Sequence, residues 1–151
     1  LPCGVSSLAW LGGNAKGPAP WAAQPLLAVG GDDGSIHVRA WDPRKGTLAE
    51  ALKLNEHDDL INALVAAPPG LKPGGGGGDG KLAYGSLLAS GSSDGTVKVW
   101  NLALPIANSA VATLDPPCPK ANVTALATPA DDGAELEVLV VCYGLSSGGP
   151  A

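Results

Sequence analysis

One pattern of apolar run, polar turn and β-branched run occurs twice in the chain. Leu87-Leu88-Ala89 is a continuous apolar run, as expected of a strand covered on both faces. Gly91 to Gly95 supplies turn chemistry, and Asp94-Gly95 signals a tight hairpin because glycine takes positive φ without a Cβ clash. Thr96, Val97, Val99 and Trp100 then favour a strand, being β-branched or aromatic. Earlier, Leu26-Leu27-Ala28-Val29 leads through Asp33-Gly34 into Ile36-His37-Val38-Arg39-Ala40-Trp41-Asp42. Two copies of strand, Asp-Gly turn and strand, each with a Trp near its end, form an internal repeat.

Further strands are predicted around these hairpins. Gly4 to Leu11 precedes the first, Leu60-Ile61-Asn62-Ala63-Leu64-Val65 precedes the second, and Asn122-Val123-Thr124-Ala125-Leu126 opens a third unit. Glu137 to Tyr143 reads as the next strand of that unit, with Leu145 to Gly149 where its hairpin turn belongs.

The second copy resembles the WD repeat of β-propellers, whose blades are four-stranded antiparallel sheets. The resemblance covers residues 55–115 most specifically, and it implies a hydrogen-bonded tetrad of His57, Ser90, Asp94 and Trp100. The first copy departs from the pattern. Val29 stands where Ser90 stands, no His precedes the first strand, and Ile36–Trp41 is two residues longer than Val97–Trp100. A bulge near Arg39-Ala40 is expected to accommodate the longer strand. The expected fold is therefore all-β, a WD-repeat β-propeller of about two and a half four-stranded antiparallel blades. The blades are expected at residues 1–54, 55–115 and 116–151, the last incomplete. A blade takes about 40–45 residues and a ring about four to eight blades. The chain accordingly reads as a piece of a longer polypeptide, with the remaining blades supplied by that polypeptide or by a partner chain.

Composition narrows the chemistry. The apolar fraction of 45% is that of a globular domain, but without Phe or Met the core must rest on Leu, Val, Ala and Trp. Net charge is −5 and no basic cluster occurs, which argues against direct nucleic-acid binding. No run is long enough to insert in a membrane. Cys3, Cys118 and Cys142 are odd in number and far apart, which fits free thiols in a reducing, intracellular setting, cytoplasmic or nuclear. Asn122-Val123-Thr124 has glycosylation spacing but falls on a predicted buried strand.

Catalytic constellations are poor. His37 and His57 are the only histidines, and no Cys or His pair has zinc spacing, so no catalytic residue, metal or cofactor is expected. Residues 68–85 form a Gly-rich insertion that lengthens the second blade. Within it Gly75 through Gly80-Lys81 has phosphate-loop spacing, but Leu82 stands where the magnesium-binding Ser or Thr is required. Acidic pairs such as Asp58-Asp59 cap and turn more often than they catalyse.

The resemblance instead implies a non-enzymatic scaffold for protein interaction within a larger assembly. Loops at the narrow end of a propeller would present Asp32, Glu56, Asp58, Asp59, Ser92 and Ser93, an acidic rim suited to a protein with a basic surface. An alternative rests on Trp41-Asp42-Pro43-Arg44. It resembles the signature by which some WD-repeat proteins dock on the adaptor of cullin-type ubiquitin ligases, and it would make Arg44 the contact of a substrate receptor.

Overall fold

The computed structural model describes residues 4–12, 19–21, 23–66, 87–102, 110–118, 121–127 and 140–145. Among them every regular element is a strand, and no helix is long and apolar enough to cross a membrane. β1 (Val5–Leu11), β2 (Leu26–Gly31), β3 (Ile36–Asp42) and β4 (Thr47–Leu54) form one four-stranded antiparallel sheet in sequence order. A second sheet of the same order comprises β5 (Ile61–Ala66), β6 (Leu87–Ser92), β7 (Val97–Asn101) and β8 (Ala112–Leu114). β9 (Ala121–Ala127) and β10 (Val140–Leu145) pair antiparallel as a third unit. The insertion, the phosphate-loop spacing, Glu137 to Leu139 and the turn expected beyond Leu145 lie outside the described residues.

Both hairpins between second and third strands close on a glycine with positive φ, 78° at Gly34 and 87° at Gly95. In each, the Asp carboxylate accepts from the backbone N–H and the hydroxyl of the residue two positions on. These are Ser35 on Asp33 (3.0 and 2.6 Å) and Thr96 on Asp94 (2.8 and 2.7 Å). Such side-chain-to-backbone bonds stabilise the turn locally, which is why Asp recurs there.

Pairing is matched between the two sheets. Gly30 faces Ile36 and Leu27 faces Arg39 in the first; Gly91 faces Val97 and Leu88 faces Trp100 in the second. The expected bulge in β3 is therefore absent, since β2 and β3 pair without interruption from Leu26↔Ala40 to Gly30↔Ile36. The irregularity is one strand over: Val38 pairs with Leu52 and Arg39 with Glu50, leaving Ala51 of β4 as the extra residue. In consequence Arg39, not Trp41, occupies the position of Trp100.

The main core lies between the first two sheets. Leu26, Ala28, Ile36, Val38, Leu52 and Leu54 of the first sheet meet Ile61, Leu88, Trp100 and Leu102 of the second. At Gly30 and Gly91 the next sheet approaches closely. A Cβ on Gly30 would lie 2.7 Å from Ile61 Cγ2, and one on Gly91 2.3 Å from Val123 Cγ1. Close packing of twisted sheets thus demands glycine at the same register position in both.

Candidate functional site

The structure brings His57, Ser90, Asp94 and Trp100 into one chain of hydrogen bonds. Trp100, the largest fully buried side chain, donates through Nε1 to Ser90 Oγ at 2.8 Å. The Ser90 hydroxyl lies 2.7 Å from His57 Nε2, and His57 Nδ1 lies 2.9 Å from Asp94 Oδ2. Trp100 can only donate and the ionised Asp94 can only accept. The chain therefore runs from indole to hydroxyl to imidazole to carboxylate, with a neutral His57 protonated on Nδ1.

Electrostatics agrees with that assignment. Burial pushes the His57 imidazole below its ordinary pKa, and the bond and charge of Asp94 oppose this without reversing it. Burial pushes the Asp94 carboxyl up. The hydroxyl and backbone N–H of Thr96, His57 and the Asp58 N–H outweigh that and hold it below its usual value. Every polar group of the tetrad is directed inward at another member or at the turn, so none is aimed at a reacting molecule. Among the described residues no group of three His, Cys, Asp or Glu could hold a metal ion.

The same positions in the first sheet carry different chemistry. Val29 replaces Ser90, and Arg39 replaces Trp100 and lies 3.8 Å from Glu50. His37, at the position of Lys98, has its Nδ1 3.5 Å from the same Glu50 oxygen. An ionic cross-strand group thus stands where the second sheet has a buried tetrad.

The expected rim residues divide into available and committed groups. Asp32, Asp58 and Asp59 are exposed, as is Asp33. They come from successive sheets, and the Gly34 turn holds them close: a Cβ there would lie 2.5 Å from the His57 carbonyl oxygen and 3.1 Å from that of Asp59. Ser92 is fully buried, and its hydroxyl donates to the Asp59 carbonyl at 2.8 Å and accepts the Asp94 N–H, so it presents nothing to a partner. That corrects its expected place on the rim; the turn folds back on the lead-in to β5. Ser93 accepts from Asn62 Nδ2 at 2.9 Å. Glu56 is half-buried, 3.8 Å from Lys98 Nζ and accepting the Ala110 N–H at 3.2 Å.

Arg44 is exposed in the β3–β4 turn, where Asp42 Oδ1 accepts the backbone N–H groups of Arg44 and Lys45. The turn closes on Gly46 at φ 64°. Trp21 was not anticipated from the sequence. It lies between β1 and β2, and its Nε1 donates to the Leu102 carbonyl of the second sheet at 2.8 Å, strapping the two sheets together. Its only signal was an aromatic residue in an otherwise loop-like Pro/Ala segment.

Comparison with known proteins gives a matching picture. The model of the family described as "WD domain, G-beta repeat" matches residues 76–101. No curated protein matches the sequence. Among solved structures the chain is similar to Chaetomium thermophilum Sqt1 bound to the N-terminus of ribosomal protein L10. Identity is 22% and the TM-score 0.55, covering 92% of this chain and 29% of that one. It is likewise similar to a second crystal structure of Sqt1 from the same organism, at 22% identity and a TM-score of 0.56, covering 92% and 31%. The chain thus spans less than a third of the length of these structures, and at this identity the likeness is one of fold. With one repeat matched in sequence at residues 76–101 and the antiparallel sheets matched in space, the chain has the fold of a β-propeller segment that carries a WD repeat.

Proposed function

We propose that this segment serves a non-enzymatic scaffold that holds a protein partner carrying a basic stretch on the rim made by Asp32, Asp33, Asp58 and Asp59. The observation that carries the reading is the seating of the Gly34 turn on the His57–Asp59 backbone, which brings exposed carboxylates from two successive blades to one edge. Four like charges on rigid turns set up a negative potential that attracts and orients a basic segment without rearrangement. The tetrad of His57, Ser90, Asp94 and Trp100 is the internal brace of the second blade and touches no ligand. A propeller of similar fold, Sqt1, binds the N-terminus of a ribosomal protein, which supports a protein segment as the kind of ligand. Asp33 accepts from Ser35, and that bond holds its carboxyl below the usual pKa, so Asp33 stays ionised at neutral pH.

The exposed, free Cys118 thiol supports a reducing compartment, the cytoplasm or the nucleus. Ligase docking through Arg44 draws support from neither the comparisons nor the geometry of its turn, and the scaffold reading is the one retained.

The test is titration of the native polypeptide carrying these residues with a Lys/Arg-rich peptide, followed by fluorescence anisotropy. Replacing Asp32, Asp58 and Asp59 by Asn removes three surface charges at roughly 0.5 kcal/mol each, so affinity is expected to fall about tenfold. Raised salt should weaken binding to the native protein more than to the triple variant. Equal affinities, or salt-independent binding, would overturn the reading.

A further inference from the structure

Asp33 and Asp94 occupy equivalent turns, and only Asp94 uses both of its oxygens inside the protein. Register fixes the equivalence. The inner strands β1 and β5 each bulge by one residue, Ser6 between Val5↔Gly31 and Ser7↔Gly30, and Asn62 between Ile61↔Ser92 and Ala63↔Gly91. Val5 therefore corresponds to Ile61 and Gly31 to Ser92, with Asp33 and Asp94 two residues further on. Oδ1 does the same work in both turns, accepting the backbone N–H and the hydroxyl of Ser35 or of Thr96. Oδ2 separates them. That of Asp94 takes His57 Nδ1 at 2.9 Å and the Asp58 N–H at 3.1 Å, whereas that of Asp33 takes no hydrogen bond among the described residues.

The cause is legible in the chain. Counting back from Val5 as His57 and Asp58 count back from Ile61 gives Leu1 and Pro2. A leucine side chain has no polar hydrogen and a proline nitrogen has none, so neither can supply Asp33 with what His57 and Asp58 supply to Asp94. Val29 and Arg39 stand in place of Ser90 and Trp100, so of the four tetrad positions the first sheet keeps the Asp alone. Its turn is nevertheless held from two sides. Ser35, only 3% exposed, fixes Oδ1, and Gly34 is seated on the His57 and Asp59 carbonyls of the next sheet. The other rim acids are held less. Asp59 accepts only the N–H of its neighbour Leu60, and the Asp32 and Asp58 carboxylates accept nothing among the described residues. Lys53 acts on the charge of Asp33 through space and closes no ion pair with it. Asp33 is thus an exposed carboxylate, already oriented, with one oxygen unengaged.

We propose that Asp33 anchors the partner. Its Oδ2 takes a guanidinium or ammonium group of the basic stretch, as Asp94 Oδ2 takes the His57 imidazole. This rests on the acidic rim as the binding surface and gives one residue of it a distinct role. Asp32, Asp58 and Asp59 attract the partner by charge, whereas Asp33 makes an oriented, charge-assisted hydrogen bond with little side-chain freedom left to lose.

The test is the anisotropy titration of the native polypeptide with the Lys/Arg-rich peptide, using single variants that each remove one charge. Asparagine at position 33 keeps an oxygen for Ser35 and turns an NH₂ towards the cation. Asp33→Asn is expected to weaken binding about tenfold, as much as the Asp32, Asp58 and Asp59 triple variant, and Asp32→Asn only about twofold. Equal losses for the two single variants would overturn the role of Asp33 and leave the rim standing. A native protein that does not bind the peptide would overturn both. The double variant Leu1→His/Pro2→Ala supplies the missing imidazole and N–H without touching the acidic residues. It should raise the Tm and weaken peptide binding about as much as Asp33→Asn, a combination that loss of structure does not produce. Native Tm and native affinity in that variant would refute the equivalence of the two turns, and with it the role of Asp33.

Discussion

Ser90→Ala removes one oxygen and leaves two buried groups without their partner. In the native protein the Ser90 hydroxyl accepts from Trp100 Nε1 at 2.8 Å and bonds His57 Nε2 at 2.7 Å, and neither it nor the indole reaches solvent. The alanine methyl fits the same space, so the loss is almost purely polar. A buried group left unsatisfied costs about 1–3 kcal/mol, so two cost about 2–5 kcal/mol. For a chain of this size each kcal/mol shifts the Tm by about 2–4 °C, which predicts a fall of about 5–15 °C. Thermal unfolding followed by circular dichroism reads this directly. A double-mutant cycle with Trp100→Phe makes the cause specific. Phe has no N–H to orphan, so Ser90→Ala should cost about 1–3 kcal/mol less in that background. A Ser90→Ala protein that melts within a degree of the parent, or strict additivity in the cycle, would refute the reasoning.

Stability should also follow pH through His57. Its folded-state pKa is depressed below 6.5, so the unfolded chain binds more protons as pH falls, and the contribution is full above 6.5 and lost below it. Asp94, likewise depressed, adds a further loss below 3.8. Tm should therefore fall between about pH 8 and pH 5, and His57→Gln should flatten that slope; identical slopes count against it. Gly91→Ala should cost about 1–3 kcal/mol, because the new Cβ would sit 2.3 Å from Val123 Cγ1 in a packed interface. Gly46→Ala meets nothing within 4 Å and carries only the strain of φ 64°, about 1 kcal/mol; denaturant midpoints should rank the two in that order. Trp21→Phe removes the indole bond to the Leu102 carbonyl, about 1 kcal/mol, and should speed proteolysis between β1 and β2; unchanged cleavage would mean the strap does not hold the sheets.

The features legible in consecutive residues are local. Asp33-Gly34 and Asp94-Gly95 specify tight turns because the carboxylate, the hydroxyl two residues on and the positive-φ glycine lie within one short stretch. The spacing from Asp94 to Trp100 likewise follows once a two-residue period is imposed on a strand leaving that turn. Matters that needed a second strand or sheet were decided by tertiary structure. Register is the clearest case: Arg39 and Trp41 are two residues apart on one face of β3, so which of them took the place of Trp100 depended on how β2 and β3 paired. Ser92 reads as a turn residue on the surface, yet the lead-in to β5 folds over it and claims its hydroxyl. Ser6 and Asn62 are unremarkable in the chain, and become inter-sheet donors only because each inner strand bulges at that residue and the next sheet brings a carbonyl within reach. Trp21 and Leu102 are distant in sequence and meet only across two sheets. Turn chemistry is written in consecutive residues, whereas burial, facing and contact between sheets are properties of surfaces that exist only after the chain has folded.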